Sequence, residues 1–496
     1  MVTWGARRDP SDFAPKEPSA DARRFGRNFG SAAIAQIIAQ VLTLGASIVL
    51  ARRLDVASYG IFVFGFAFPS WFLLVVSLGL DEVIATEVAA DRSKASLYLT
   101  LVLSIRIVLS SIALVALWAA VQVILDDPAA RVITVLLGAS SLVTTCAGTF
   151  TSIFRAFEKL EFGAIVTIAE RVVTVSVVVS LLFLGYGLYE VSLAFLGGSF
   201  VLFALSAAIG RRRFAWFERG VDRPAVVRAL RLAAPFASFN AVGTFTYTTG
   251  LVLLTVLQGP EQAGLFNAAF TLLFALFSFL SIVSLTTLPM MSRIHRESRE
   301  RLVSVLQRIQ KLSLIGGVPL AFGGWIYAAP IVTTFYGPAF AASAESFRVL
   351  VVCFAVETAA MGIGPALAAT GHAKEKFYIA AVGAVVTVGL SVLLIPPFGP
   401  IGAAYAFLAS RILFALVGGL AVRRFLGPLS AAGTMAKTVF GGSVMVAALV
   451  VIPGLTLWTG VVVGALIYFA VLFAVHGTTR EDHSVLRDAI RGALFR

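Results

Sequence analysis

The sequence predicts an all-α polytopic membrane protein of about fourteen transmembrane helices, built as two parallel six-helix lobes with two helices appended. Three observations predict it: composition, the placement of charge between apolar segments, and an internal repeat. Hydrophobic residues make up 59% of the 496, charged residues 13%, and the mean hydropathy is +0.93. Soluble sequence is normally about a quarter charged, so a soluble core could not hide this much apolar surface. A bilayer core about 30 Å thick takes about 20 apolar residues per helix, and fourteen helices need on the order of 280 residues.

In order, the apolar spans run over roughly 28–50, 58–80, 96–125, 131–154, 162–184, 190–209, 230–256, 262–290, 305–335, 347–369, 377–396, 401–422, 434–453 and 456–475. Residues 1–26 are polar, carry Pro10, Pro15 and Pro18, and read as a disordered tail; no apolar stretch follows a short basic start, as a signal peptide would require. Residues 27–210 form the first lobe, 211–229 a basic linker, 230–424 the second lobe, 425–476 the appended helices and 477–496 a second tail. Pro69, Pro235, Pro319 and Pro365 fall inside spans and are expected to bend them.

Charge fixes the orientation. The N-terminal tail, the 6–7 and 8–9 connections and the C-terminal tail are rich in arginine, with Arg211, Arg212, Arg213, Arg293, Arg296 and Arg299 among them. The 5–6, 7–8, 11–12 and 13–14 connections contain no Lys or Arg. By the positive-inside rule both termini face the cytoplasm, as an even number of spans requires, and the protein sits in the cell membrane. The net charge of +13 would point to nucleic acid in a soluble protein; here it points to anionic lipid, and no nucleic-acid partner is expected. Arg52 and Arg53 break the rule by lying at the outer end of span 1.

The repeat is read from span starts. At an offset of 204, Tyr59-Gly60-Ile61-Phe62 opening span 2 matches Ala263-Gly264-Leu265-Phe266 opening span 8, and Arg27 matches Arg231. At an offset of 215, Phe162 matches Phe377 and Gly187 matches Gly402. Two six-span units in one orientation imply lobes related by an axis along the membrane normal, an architecture of secondary transporters with substrate between the halves.

These residues resemble the polysaccharide transporter family of oligosaccharide-lipid flippases, the O-antigen and exopolysaccharide exporter type, within the multidrug/oligosaccharidyl-lipid/polysaccharide (MOP) superfamily. The resemblance runs over about residues 25–425. Its motifs are Leu50 to Gly60, Ala263 to Phe270, Phe335-Tyr336-Gly337-Pro338-Ala339-Phe340, and a block from Leu394-Ile395-Pro396 through Gly399 to Gly402-Ala403-Ala404. The resemblance implies a MATE-like, V-shaped pair of lobes and translocation of a polyprenyl-(pyro)phosphate-linked oligosaccharide from cytoplasm to exterior. Spans 1, 2, 7 and 8 would line its central cavity. Glycan polymerase or glycosyltransferases would be its protein partners.

No enzyme is expected. There is no Walker-type phosphate loop, no nucleophile–base or paired-carboxylate arrangement and no metal-ligand spacing, and no cofactor is implied. Cys146 and Cys353 lie in apolar segments and the four histidines do not cluster. What remains are ionisable groups inside spans, costly unless paired or facing water. Arg106, Glu170 and Arg171 in the first lobe and Glu357 and Arg411 in the second all fall near mid-depth. Two readings stay open: they bind the pyrophosphate or couple transport to a cation gradient, or they form structural pairs, Arg106 with Glu170 and Arg411 with Glu357. Arg52 and Arg53 either meet the anionic head group at the outer mouth or pair with Asp55 and reach lipid phosphates. Gln36, Gln40, Asn240, Tyr247 and Asn267 suit sugar hydroxyls or hold helices together. The function expected is a flippase working by alternating access; the alternatives are a cation-coupled multidrug exporter of the same fold and a non-transporting scaffold for glycan synthesis enzymes.

Overall fold

A computed structural model describes residues 40–214, 217, 218, 223–428 and 432–477. The expected N-terminal tail, the expected C-terminal tail beyond Gly477, Gln36 and the first part of span 1 lie outside them. Among the described residues every regular element is helical. Ten helices among the described residues are long and apolar enough to cross a membrane, eleven when one bent pair is counted as a span.

Helix α1 covers 40–53. Span 2 is longer than expected and broken: α2 (Val56–Ala67), α3 (Pro69–Ser77) and α4 (Leu80–Ala90) follow one another as a single 35-residue segment. Pro69 stands at the first position of α3, where its missing N–H costs nothing, and the second break is made by Leu78 and Gly79, both at positive φ. Four unbroken helices complete the first lobe: α5 (Ala95–Ile124), α6 (Pro128–Ala156), α7 (Leu160–Phe183) and α8 (Leu188–Arg213). Helix α6 is their hub, packed on α5, α8, α2 and α4.

The second lobe begins with α9 (Arg223–Gln258), which starts inside the expected linker, and α10 (Pro260–Glu297). Span 9 is α11 (Arg299–Ile326) and α12 (Ala328–Tyr336), bent by 80° to one another. Span 10 divides at Gly362 into α13 (Ser343–Ala359) and α14 (Ile363–Ala369). Helix α15 (Ala373–Leu426) is a hairpin: Gly399 takes φ 58°, ψ −133°, a conformation that suits glycine. A Cβ on Gly383 would lie 3.8 Å from the carbonyl oxygen of Ser410. In a straight helix those residues would be about 40 Å apart, so the two arms, spans 11 and 12, run antiparallel. Helices α16 (Ala432–Val451) and α17 (Leu457–Ala474) pack on each other and on α11. Glycines at 441, 460 and 464 bring them close to Tyr468, Tyr327 and Met445.

Large apolar side chains lie exposed around both lobes; Val123 is 87% exposed, Val385 71% and Phe473 71%. So much exposed apolar surface on a folded chain marks contact with lipid.

The lobes meet where α2, α3 and α4 pack on α9, with Gly79 against Ala233 and Phe236, and again at the ends of α2 and α10, at the arginine-poor end of the bundle. A Cβ on Gly60 would collide with the carbonyl oxygen of Pro260 and lie 3.2 Å from the Gly264 nitrogen. A Cβ on Gly264 would lie 2.5 Å from the carbonyl oxygen of Val56 and 3.1 Å from the Gly60 nitrogen. Val56 and Pro260 are separated by the same 204 residues as Gly60 and Gly264. The contact is therefore reciprocal, as a two-fold axis between the helices requires. Any side chain larger than hydrogen must push the helices apart. Gly60→Leu is accordingly expected to weaken this closure by about 1–3 kcal/mol, the usual cost of overpacking. A membrane-impermeant maleimide added at the arginine-poor end should then label a Ser47→Cys reporter about tenfold faster or more. Unchanged labelling in a folded Gly60→Leu protein would contradict the contact's role.

Candidate functional site

Beneath the glycine contact the helices part around a cavity of about 440 Å³. Its walls come from α1, α2, α7, α8, α9 and α10. Four residues singled out from sequence meet here: Gln40, Arg171, Tyr247 and Asn267. Thr43, Ser47, Thr248 and Thr271 add hydroxyls, and Phe62, Phe66, Phe195, Phe270 and Phe274 add aromatic faces. A concave, largely apolar space with a few placed polar groups is what an organic ligand requires. Aromatic rings suit the apolar faces of such a ligand, and amide and hydroxyl groups suit its polar ones.

Its roof is a hydrogen-bonded cluster of tyrosines. Tyr59 Oη lies 2.7 Å from Ser47 Oγ and accepts from Asn267 Nδ2 at 2.9 Å. Tyr336 Oη lies 3.5 Å from the same Ser47 Oγ, and Phe340 meets the Tyr59 ring edge-on at 5.5 Å. Tyr59 and Tyr336 are both nearly fully buried. Both stand in motifs that carry the family resemblance, but a tyrosine in an apolar run does not by itself signal a functional role.

Arg52 and Arg53 sit above this roof, each with a partner from the protein. Arg52 donates to the carbonyl oxygens of Phe335, at 2.7 Å, and Thr334. Both belong to the last turn of α12, whose carbonyls lack helical partners and carry the negative end of the helix dipole. Arg53 stacks over the Phe183 ring at 4.2 Å. Arg52 thus ties α1 to the second lobe. Asp55 pairs with neither arginine: it caps α2, accepting from Ser58 N at 2.9 Å and Ser58 Oγ at 2.6 Å. Those bonds hold its carboxyl below its ordinary pKa.

The mid-depth charges pair differently from expectation in the first lobe. Arg106, fully buried, bonds Asp81 Oδ2 at 2.7 Å, Thr149 Oγ1 at 2.9 Å and the Thr145 carbonyl at 2.8 Å. Its partner is Asp81, not Glu170. Hydropathy ends span 2 at residue 80, just before Asp81, whereas α4 carries the span on to Ala90. Glu170 turns toward α8, accepting from Thr174 Oγ1 at 2.9 Å and lying 3.6 Å from Arg171 Nε. Arg171 itself faces the cavity.

In the second lobe the expected pair is present but long, with Arg411 Nη1 4.0 Å from Glu357 Oε2. Arg411 stands behind Tyr247, 5.9 Å from its ring centroid. Asn240 is exposed on α9 outside this cavity. Beside it Phe239 stacks on Lys376 at 5.2 Å. Lys376 makes no ion pair among the described residues, and it too falls just outside an expected span, one residue before the start of span 11.

The sequence profile of a family described as polysaccharide biosynthesis protein matches residues 25–295, more than half of the chain. The chain belongs to that family. No curated protein matches it. Among solved structures it resembles lipid II flippase MurJ in an inward closed conformation, with a TM-score of 0.76 at 15% identity over 93% of this chain and 99% of that one. It also resembles an inward-facing multidrug resistance MATE family transporter of the MOP superfamily, with a TM-score of 0.65 at 16% identity over 80% and 98% of the two chains. A third likeness is to a MOP superfamily transporter from Pyrococcus furiosus, with a TM-score of 0.59 at 14% identity over 84% and 99%. At these identities the likeness concerns the fold, which is the MOP transporter fold.

The ion pairs differ in what their loss should cost. Asp81→Asn leaves Arg106 buried and uncompensated, and is expected to cost about 3–5 kcal/mol. Glu357→Gln removes a 4.0 Å contact, against 2.7 Å for Asp81, and leaves a guanidinium that is less deeply buried than that of Arg106, so it should cost distinctly less. Thermal unfolding in detergent checks the order; a larger loss in Glu357→Gln would contradict it.

Proposed function

We propose that the chain moves a polyprenyl-(pyro)phosphate-linked oligosaccharide from the cytoplasmic to the outer leaflet by alternating access, serving cell-surface polysaccharide synthesis. The observation that carries this reading is the central cavity, closed at the arginine-poor end and lined by Arg171, amides, hydroxyls and aromatic rings. With the arginine-rich end cytoplasmic by the positive-inside rule, this is a conformation shut toward the exterior. An anionic phosphate suits Arg171, whose guanidinium donates two hydrogen bonds at once. Amides and hydroxyls suit sugar hydroxyls, and the belt of exposed apolar side chains leaves the isoprenoid in lipid. Family membership agrees with such a cargo. Glycan polymerase and glycosyltransferases are the partners that would supply and consume it.

A cavity built for lipophilic cations would present a free carboxylate. Here Glu357 is set against Arg411 behind Tyr247, and Glu170 turns into its own lobe. These placements favour an anionic cargo over cationic drugs.

Proteoliposomes carrying a fluorescent polyprenyl-pyrophosphate-linked disaccharide test the proposal. The purified protein should move the probe between leaflets, Arg171→Leu should slow this at least tenfold, and Arg171→Lys should recover only part. No movement by the unaltered protein, or efflux of a lipophilic cation in its place, would overturn the reading.

A further inference from the structure

A second chamber, of about 470 Å³, lies below the central cavity in the first lobe. Asp81 and Glu82 of α4, Thr151, Ser152 and Arg155 of α6, and Thr167 of α7 line it. None of these was singled out from sequence. The two spaces share one wall. Leu160, Gly163, Ala164 and Thr167 line the lower chamber, and Arg171 and Val175 line the upper. Apart from the adjacent Gly163 and Ala164, successive members of that series are three or four residues apart along α7, which sets them on a single face. From Leu160 to Val175 that face rises about 22 Å at 1.5 Å per residue. The broken span from Val56 to Ala90 supplies the second common wall, α2 above and α4 below. The chambers are therefore stacked, and a ligand entering from the arginine-rich end meets the lower one first.

Its charges cancel. Asp81 accepts from Arg106 Nη2 on Oδ2 and from Ser152 Oγ on Oδ1, each at 2.7 Å, so both of its oxygens are engaged. Arg155 donates to Glu82 Oε1 and to the Asp81 carbonyl oxygen, each at 3.2 Å. Two carboxylates are matched by two guanidinium groups. Such a site offers little to a phosphate, which needs uncompensated cations, or to a bare cation, which needs unengaged carboxylates. It offers donors and acceptors side by side, which is what a sugar hydroxyl needs because it does both. There is also room: a Cβ built on Gly163 would meet nothing within 4 Å. The volume falls within the range of about 300–1,000 Å³ for organic ligand sites.

We propose that this lower chamber is a glycan subsite, holding uncharged sugar units of the cargo while Arg171 above engages its phosphate. The proposal rests on the function argued above and assigns the sugar end of that cargo to named residues. Polar lining inside an apolar span is costly when nothing fills it, and hydroxyl-rich cargo supplies the filling.

Two experiments separate this proposal from the reading beneath it. In the first, Gly163→Leu fills the chamber and Gly163→Ala leaves it open. Gly163→Leu should slow movement of the fluorescent polyprenyl-pyrophosphate-linked disaccharide at least tenfold, at an unchanged melting temperature, while Gly163→Ala behaves as the unaltered protein. Thr167→Leu repeats the test should Gly163→Leu fail to fold. Transport at full rate by a folded, filled variant overturns the subsite and leaves the flippase reading standing. The second needs no transport: a Thr167→Cys protein is labelled by maleimide in the presence of maltose, lactose, cellobiose or chitobiose, inorganic pyrophosphate, or sodium. Saturable slowing by at least one disaccharide, with none by pyrophosphate or sodium, is the expected result. Protection by pyrophosphate or sodium, or by no disaccharide, overturns the subsite whether or not the protein moves lipid.

Discussion

The roof of the cavity hangs on two glycines that let two helices of opposite lobes touch through their backbones. With Gly60 and Gly264 in contact, α2 and α10 approach closely enough for each to cover the other's backbone. The closeness brings Asn267 within reach of Tyr59 and sets Ser47 under both tyrosines. It also brings the end of α12 to Arg52, so that a guanidinium of the first lobe closes a helix terminus of the second. The cavity has a roof because these contacts are short. Around them the seam is apolar, with Phe62, Phe64, Phe266 and Phe270 of the two helices in one buried hydrophobic cluster.

Much of this was legible in the sequence, for a physical reason. Duplication keeps the register of whatever contacts its own copy, and a reciprocal contact across a two-fold axis must involve equivalent positions. The offset of 204 residues therefore pointed at the pair that touches. Hydropathy likewise outlined the spans, because lipid-facing helices must be apolar along their length. What hydropathy obscured was their ends. Asp81 fell one residue beyond the expected end of span 2, and Lys376 one residue before span 11. A charged residue lowers local hydropathy and so ends an apolar run exactly where an ion pair or aromatic contact lets the helix continue. That continuation depends on Arg106 and Phe239, partners far away in sequence.

The same limit explains the misassigned pair. Depth alone made Glu170 and Arg106 plausible partners, but depth says nothing of which helix face a residue occupies. Glu170 and Arg171 are adjacent, about 100° apart around α7 by helical geometry. One turns into the lobe and the other into the cavity. Of the mid-membrane charges noted from sequence, Arg171 alone is among the residues lining that cavity. Arg106 and Arg411 each have a carboxylate and serve the lobes that hold them, whereas Arg171, 3.6 Å from Glu170, also lines the cavity. The lobes thus hold structural pairs while one of their guanidinium groups also borders a cavity of rings and hydroxyls, an arrangement that suits the anionic head group of the proposed cargo.

The central claim is that the α2–α10 contact is one state of a moving seam. Spin labels on Ala57→Cys and Glu261→Cys, positions related by the same offset of 204, report its width by double electron–electron resonance. The account predicts a short separation without cargo and a second, longer one that grows when the protein is turning over a polyprenyl-linked disaccharide in liposomes. A single short separation, unchanged while transport proceeds, would contradict it.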